Sequence, residues 1–313
     1  MKILHRTEIE KILSSLDPIP KIEEGFVQYS KGLATVPPVG ELLMEKGEVH
    51  IKYGCIRADE YYVVKVASGF YQNDALGLPS SNGLMLLFSQ QTGQLACALL
   101  DEGFLTDIRT AIAGAIAAKH LAPANITAIG IVGTGIQARL QALYLKKVTT
   151  CRQLIVWGRS AEKTGDYQQD MQREGFEVSI ADSIDELAQS ANFIVTTTPS
   201  TTPLINVSQV RQGTHITAVG SDTPEKQELA SDILARANLV VADSISQCQQ
   251  RGEIYQALKA GSIQGEKVVE LGNVIAAGQG RADEQQITIA DLTGVAVQDI
   301  KIAEAVYLAS EKK

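Results

Sequence analysis

Ile129-Gly130-Ile131-Val132-Gly133-Thr134-Gly135-Ile136-Gln137-Ala138 lies near the middle of a 313-residue chain. Apolar and small residues run into Gly133-Thr134-Gly135, and a helical pattern follows. This is a buried strand, a glycine turn and a helix start, the layout of a dinucleotide-binding fingerprint with Ala in the third small position. Gly133 allows a sharp turn, and Gly135 leaves room for a pyrophosphate against bare backbone. Ala138 lets the helix lie close to the strand, while the N–H groups at the helix start face the phosphates. A lone pattern of this length also arises by chance, so its surroundings decide.

Those surroundings alternate. Strands fall near 127–133, 154–158, 176–180, 193–198, 215–219 and 239–243. Helices fit 136–147, 161–174, 184–190, 224–237 and 246–260, with Ser183-Ile184-Asp185-Glu186 as a capping box. Apolar strands alternating with helices predict a Rossmann-type, doubly wound parallel α/β sheet. The glycine motif stands in its first strand–turn–helix unit, where such a sheet binds a dinucleotide.

The flanks read differently. A helical stretch at 7–31 carries Ile9, Ile12, Leu13 and Leu16 on one side and is interrupted at Asp17-Pro18-Ile19-Pro20. Short strands follow to about residue 100. In Val49-His50-Ile51-Lys52-Tyr53 the period of two puts His50 and Lys52 on one face. Tyr61–Ala67 is apolar apart from Lys65, and Gln90–Gln94 reads as a hairpin turn between two further strands. A helix from Thr106, its expected N-cap, runs to Leu121. After a strand at Gln286–Asp291, a last helix carries Val297, Ile300, Ala303 and Val306 inward. The expected organisation is a discontinuous α+β substrate and dimerisation domain, residues 1–122 plus 285–313, around a nucleotide domain of residues 123–284.

Hydrophobic residues at 45% and charged residues at 20% describe a globular chain. A formal charge of −8 with no basic stripe argues against nucleic acid. No apolar run approaches the roughly 20 residues of a membrane helix, and the early acids at the N-terminus do not suit a signal peptide. Cys55, Cys97, Cys151 and Cys248 form no C-x-x-C pair, as expected of a cytoplasmic protein with reduced thiols.

Four positions invite chemistry. Where the second strand of the nucleotide domain ends, an acid would hold the ribose 2′-OH of NAD. This chain has Gly158-Arg159-Ser160 there, with Lys163 a turn later, which suits the 2′-phosphate of NADPH; the other reading is an exposed loop Arg. Arg109, read in the first turn of its helix, is either an anion clamp or a surface partner of Asp101, Glu102 or Asp107. Lys65 lies either at a sheet edge or in the cleft as a cation of lowered pKa. Asp222, directly after a strand, is either an N-cap or a general acid/base.

Leu105-Thr106-Asp107-Ile108-Arg109-Thr110-Ala111, the glycine motif, Ala218-Val219-Gly220-Ser221-Asp222-Thr223-Pro224-Glu225-Lys226-Gln227-Glu228-Leu229, Leu271–Ile275 and Gly294–Asp299 together resemble the ornithine cyclodeaminase/mu-crystallin family over nearly the whole chain. The resemblance implies a homodimer that pairs its N-terminal sheets. It implies that Lys65 and Arg109 hold a substrate carboxylate, that Asp222 acts near the substrate nitrogen, and that Gly133, Thr134, Gly135, Ile136, Gln137, Ala138 and Thr110 serve the cofactor. Many members carry an Arg after a Pro-Pro pair, whereas here Pro37-Pro38 precedes Val39. The expectation is that His50 or Lys52 compensates, or that the substrate is smaller and held differently.

NADPH as cofactor points to net reduction of a cyclic imino acid, Δ1-pyrroline-2-carboxylate or its six-membered homologue. Lys65 and Arg109 would fix the carboxylate and Asp222 would supply the proton to nitrogen. Ornithine cyclodeaminase, alanine dehydrogenase and a non-enzymatic NADPH-dependent binding protein are the alternatives. Aromatic residues at 5% leave little material for a hormone pocket.

Overall fold

The computed structural model describes residues 1–70 and 72–312. It divides into two compact units, one of residues 1–109 with 295–313 and one of residues 110–294.

The first unit is built on a seven-stranded mixed sheet. Its elements are β1 (Lys2–His5), α1 (Arg6–Leu13), α2 (Ile19–Ser30), β2 (Ala34–Thr35), β3 (Gly40–Met44), β4 (Gly47–Ile56), β5 (Tyr61–Gly69), β6 (Ser81–Ser89), β7 (Leu95–Leu100) and the start of α3 (Phe104–Leu121). The order is β1-β7-β6-β5-β4-β2, with β3 also paired to β4; β1 runs parallel to β7 and the other pairs are antiparallel. The period of two gives the sheet two unlike faces. Leu4, Lys52, Ile56, Val63, Lys65, Met85, Leu87, Cys97 and Leu99 are buried on one, where the C-terminal helix crosses β4, β5 and β6. On the other, the register aligns Ile3, Ala98, Leu86, Val64 and Tyr53 in a row. All five of these apolar residues are half-buried or exposed.

The second unit holds β8 (Ile129–Val132), α4 (Ile136–Leu145), β9 (Gln153–Trp157), α5 (Ala161–Arg173), β10 (Glu177–Ile180), α6 (Ile184–Ser190), β11 (Phe193–Thr196), β12 (His215–Ala218), α7 (Ser231–Arg236), β13 (Leu239–Ala242), α8 (Ile245–Cys248), α9 (Gly252–Lys259), β14 (Val268–Glu270), α10 (Leu271–Ala277) and β15 (Thr288–Asp291). Its eight strands are all parallel, in the order β10-β9-β8-β11-β12-β15-β13-β14. From β8 the chain winds outward through β9 and β10, then restarts on the other side with β11. The winding therefore reverses between β8 and β11, and ligands of such sheets bind at the carboxyl ends of the strands at that point. Val132, Ile194, Ile216 and Ile289, with no exposure, fill the sheet's core. Helix α11 (Ala296–Glu311) belongs to the first unit.

Several boundaries differ from the sequence reading. The strand expected to open the returning segment, β15, sits inside the parallel sheet between β12 and β13. The return therefore falls after Gly294 rather than at 285. The other boundary lies within α3, after Arg109 rather than at 122/123. That helix begins at Phe104, capped not by Thr106 but by Asp101, whose Oδ2 accepts the Leu105 N–H at 2.7 Å; burial pushes the Asp101 carboxyl up to about 6. The helix expected at 224–237 starts only at Ser231, because Gln227, Leu229 and Ala230 pair outward with Ser200 and Ile205. That at 246–260 breaks ahead of Gly252, at φ +88°, where a Cβ would lie 2.7 Å from the Asp291 carboxylate. Among the described residues no helix is long and apolar enough to cross a membrane.

Candidate functional site

In the second unit the glycine loop leaves β8 at Gly133, whose φ of +117° excludes most side chains. A Cβ here would stand 2.6 Å from Thr197 Oγ1 and wedge β8 from β11. Gly135 is extended and caps α4; a Cβ there would meet no protein atom within 4 Å. The start of α4 thus presents unobstructed backbone at the strands' carboxyl ends, which fits a pyrophosphate. Thr134 and Gln137 are half-buried, Ile136 is exposed and Ala138 is fully buried, with Tyr167 donating to the Ala138 carbonyl at 3.3 Å. Arg139, paired to Asp170 at 2.7 Å, also donates to the Thr134 carbonyl and so braces the loop. The Thr110 carbonyl accepts from the side-chain amide of Gln141, on α4, at 3.1 Å.

The end of β9 borders the same loop. A Cβ on Gly158 would lie 2.7 Å from the Thr134 methyl and 3.0 Å from that of Thr164. An acid at 158 is therefore excluded by packing. Arg159 and Lys163 are exposed, and Ser160 caps α5, accepting the Lys163 N–H at 3.3 Å.

At the ends of β11 and β12 a single side chain organises the backbone. Glu228, with no exposure, accepts hydrogen bonds from Thr196 Oγ1 (2.7 Å), Thr198 N (2.6 Å), Thr198 Oγ1 (2.8 Å) and Gly220 N (2.9 Å). Gly220 needs its missing side chain because a Cβ would collide with the Thr198 backbone. Burial pushes the Glu228 carboxyl up to about 7, against the pull of those donors. Two residues past Gly220, Asp222 pairs with Lys226 at 2.7 Å, and Arg251 donates to its carbonyl at 3.3 Å. With the next helix nine residues away, Asp222 is not an N-cap.

In the first unit Lys52, Lys65 and Met85 lie directly opposite one another on β4, β5 and β6. Lys65 is thus on a central strand, not an edge, and is 1% exposed. Arg109, in the second turn of α3 rather than the first, is also buried. Its partner is none of the acids expected from sequence spacing. Asp299, in the first turn of α11 and 1% exposed, stands 2.9 Å from Arg109 Nε and 3.3 Å from Lys65 Nζ. Gln298 accepts from another Arg109 nitrogen at 3.3 Å. Burial first, and then the Arg109 charge, bring Lys65 down to about 7, with Asp299 opposing and Lys52 assisting. Two cations sharing one carboxylate form a site for a further anion, which would return a proton to Lys65. His50 shares this face but lies beside Glu41 and Glu48, each 3.8 Å from its Nε2.

Lys65, Arg109 and Lys52 are thus gathered in one unit, and the glycine loop, the 158–163 turn and Asp222 are placed along one edge of the other. Sequence reasoning missed Asp299, Lys226 and Glu228. An acid in the first turn of a helix is ordinary, so nothing local marked the first. The other two fall in a stretch whose local pattern is helical.

The profile of the ornithine cyclodeaminase/mu-crystallin family matches residues 1–313. An uncharacterised cyclodeaminase of Sinorhizobium fredii is 40% identical over 320 residues, covering all of this chain and 97% of that protein. An archaeal alanine dehydrogenase, solved as a dimer with bound NAD, matches at a TM-score of 0.90 and 32% identity, covering 100% of this chain and 96% of its own. The Δ1-pyrroline-2-carboxylate reductase of Thermococcus litoralis, solved with NADH and L-proline, matches at 0.93 and 27%, covering 100% and 98%. The expected fold class, an α/β chain with a Rossmann-type parallel sheet, is that of these neighbours.

The state of Lys65 is measurable. Between about pH 7 and 10.5 its amine is protonated in the unfolded chain and neutral in the folded one. Its contribution to stability is therefore full above 10.5 and is lost as pH falls to 7. Urea unfolding of the free protein against Lys65→Met should show the wild type gaining on the variant across that window; a constant difference would refute the assignment.

Proposed function

Because the chain belongs to the ornithine cyclodeaminase/mu-crystallin family, we propose that it is an NADPH-dependent reductase of a cyclic imino acid, Δ1-pyrroline-2-carboxylate foremost, giving L-proline. The six-membered homologue, Δ1-piperideine-2-carboxylate, is a further substrate. The observation that carries this reading is the buried pair Lys65 and Arg109 sharing the Asp299 carboxylate. They receive the substrate carboxylate, Arg109 by its planar guanidinium and Lys65 by regaining its proton. Lys52 strengthens the field, since its charge already acts on Lys65, and His50 flanks it. The bound dinucleotide supplies the hydride. In this reading Asp222 is assigned to the ring nitrogen, and the catalysis is by positioning.

NADPH is favoured over NADH because Gly158 admits no acid and Arg159 and Lys163 are exposed beside it. Two lysines side by side at the carboxylate site disfavour a substrate with a second ammonium, and with it ornithine cyclodeamination. Alanine dehydrogenase is the second reading, favoured by the whole-chain match to the archaeal enzyme. The row Ile3, Ala98, Leu86, Val64 and Tyr53, half-buried or exposed, suits the paired sheets of a homodimer, since a contiguous apolar face marks an interface.

The deciding experiment incubates the pure protein with NADPH or NADH and each of the two imino acids, pyruvate with ammonia, or ornithine, following reduced nicotinamide by absorbance. Pyrroline-carboxylate-dependent oxidation of NADPH is expected. Arg109→Ala should lower kcat/KM for the imine by about 100-fold, the loss typical of breaking a buried charge pair; unchanged kcat/KM would end the carboxylate assignment. Arg159→Ala should raise KM for NADPH about tenfold and spare NADH. Light scattering should give twice the chain mass for the wild type and the single-chain mass for Leu86→Glu, and a monomeric wild type would remove the dimer.

A further inference from the structure

The stretch from Gly220 to Glu228 closes on itself. Its last side chain accepts from the first N–H at 2.9 Å. Ser221 Oγ donates to the Lys226 carbonyl at 2.7 Å, and Gln256 from α9 donates to the carbonyls of Pro224 (2.7 Å) and Lys226 (3.4 Å). Inside this loop Lys226 Nζ meets Asp222 Oδ1 at 2.7 Å. The two are four residues apart, yet no helix joins them. The Lys226 side chain is 10% exposed and that of Asp222 36%, so the ammonium lies beneath and the carboxylate is the approachable partner.

Such a contact fixes a protonation state. An ammonium at hydrogen-bond distance favours the ionised carboxyl, and partial burial strengthens the effect. The other charges facing the pair divide. Arg251, entering from the turn before α9, donates to the Asp222 carbonyl and adds to the positive side. Glu228, on the loop itself, and Glu253 of α9, which accepts the Glu228 N–H at 2.7 Å, are pushed by burial toward their neutral forms and oppose it only weakly. The direct contact at 2.7 Å outweighs those more distant carboxyls. An aspartate held as carboxylate is an anchor for a cation and a poor donor of protons.

We propose that Lys226 is a positioning residue that keeps Asp222 ionised, so that the imine is taken as its iminium form and arrives with its own proton. This rests on Asp222 facing the substrate nitrogen. The electron balance is then simple. The hydride would leave a C–H bond of the reduced nicotinamide, which is thereby oxidised, and carry that electron pair into the new C–H bond at the iminium carbon. The π pair of the C=N bond withdraws onto nitrogen, which already carries hydrogen, and the product leaves as the secondary amine. No proton crosses from Asp222 during hydride arrival, in contrast to the general-acid role expected from the sequence.

The test is the pH profile of kcat/KM for imine reduction in wild type, Lys226→Met, Lys226→Arg and Asp222→Asn, with NADPH affinity followed by fluorescence of Trp157, the one tryptophan, as a check on folding. The limb where activity falls on the acid side should move up by about one pH unit in Lys226→Met, stay in place in Lys226→Arg, and vanish with most of the activity in Asp222→Asn. An unmoved limb in Lys226→Met beside an inactive Asp222→Asn would overturn this role alone. Full activity of Asp222→Asn would overturn the reading of Asp222 beneath it. The wild type gives an independent measure should Lys226→Met not fold. No solvent deuterium effect on the hydride step is expected, and a clear normal effect would restore Asp222 as proton donor.

Discussion

One buried carboxylate holds the first unit together electrically. Arg109 from α3 is an enclosed cation, Lys65 from β5 is an enclosed amine brought down to about 7, and Asp299 is the anion the structure sets beside both. Charges taken from water cost several kcal/mol each unless paired, and removing a partner from such a pair typically costs about 3–5 kcal/mol. Asp299 is carried by the helix that returns from beyond the second unit. The discontinuity of the first unit is thus a requirement of its charge balance as well as of its packing. The same helix is anchored at Lys301 to Asp59 at 2.9 Å, and Val297, Ile300, Ile302 and Ala303 are fully covered.

In the second unit, carboxylates do the work that backbone carbonyls do elsewhere. Parallel strands end without partners for the loops that follow. Here Glu228 gathers the ends of β11 and β12, Glu253 accepts the N–H groups of Glu228 and Leu229, Asp291 that of Ile254, and Asp243 that of Gly294. Burial raises the carboxyls of Glu228, Glu253 and Asp291, the cost of using charged groups as structural acceptors. The return is an edge on which the Asp222 loop has a fixed shape without being a helix.

What the sequence discloses follows from the range of the forces involved. The glycine turn, the strand–helix alternation and the two faces of β4 depend on local sterics and periodicity, and all are legible before folding. Lys65 and Arg109 stand out because a cation in an apolar run is locally anomalous. Asp299 does not, since an acid in the first turn of a helix is ordinary. Its role exists only once β5, α3 and α11 converge. Gln227–Ala230 has a helical pattern that is overruled by hydrogen bonds to residues about 25 positions earlier, a tertiary effect that no window of sequence contains. The break at Gly252 has the same origin in a distant Asp291. The unit boundaries shift for a related reason: β15 reads as the start of a return, while its hydrogen-bond partners are β12 and β13.

The position of α11 also has a consequence for biosynthesis. Residues 110–294, the whole of the second unit, precede it in the chain and can fold as they leave the ribosome. The first unit, though translated earlier, lacks its anion until Asp299 emerges. Its sheet waits with two lysines and an arginine uncompensated by that carboxylate while the later unit takes shape. The part of the nascent chain made first is therefore the last to be finished, and the apolar face it turns outward is exposed longest.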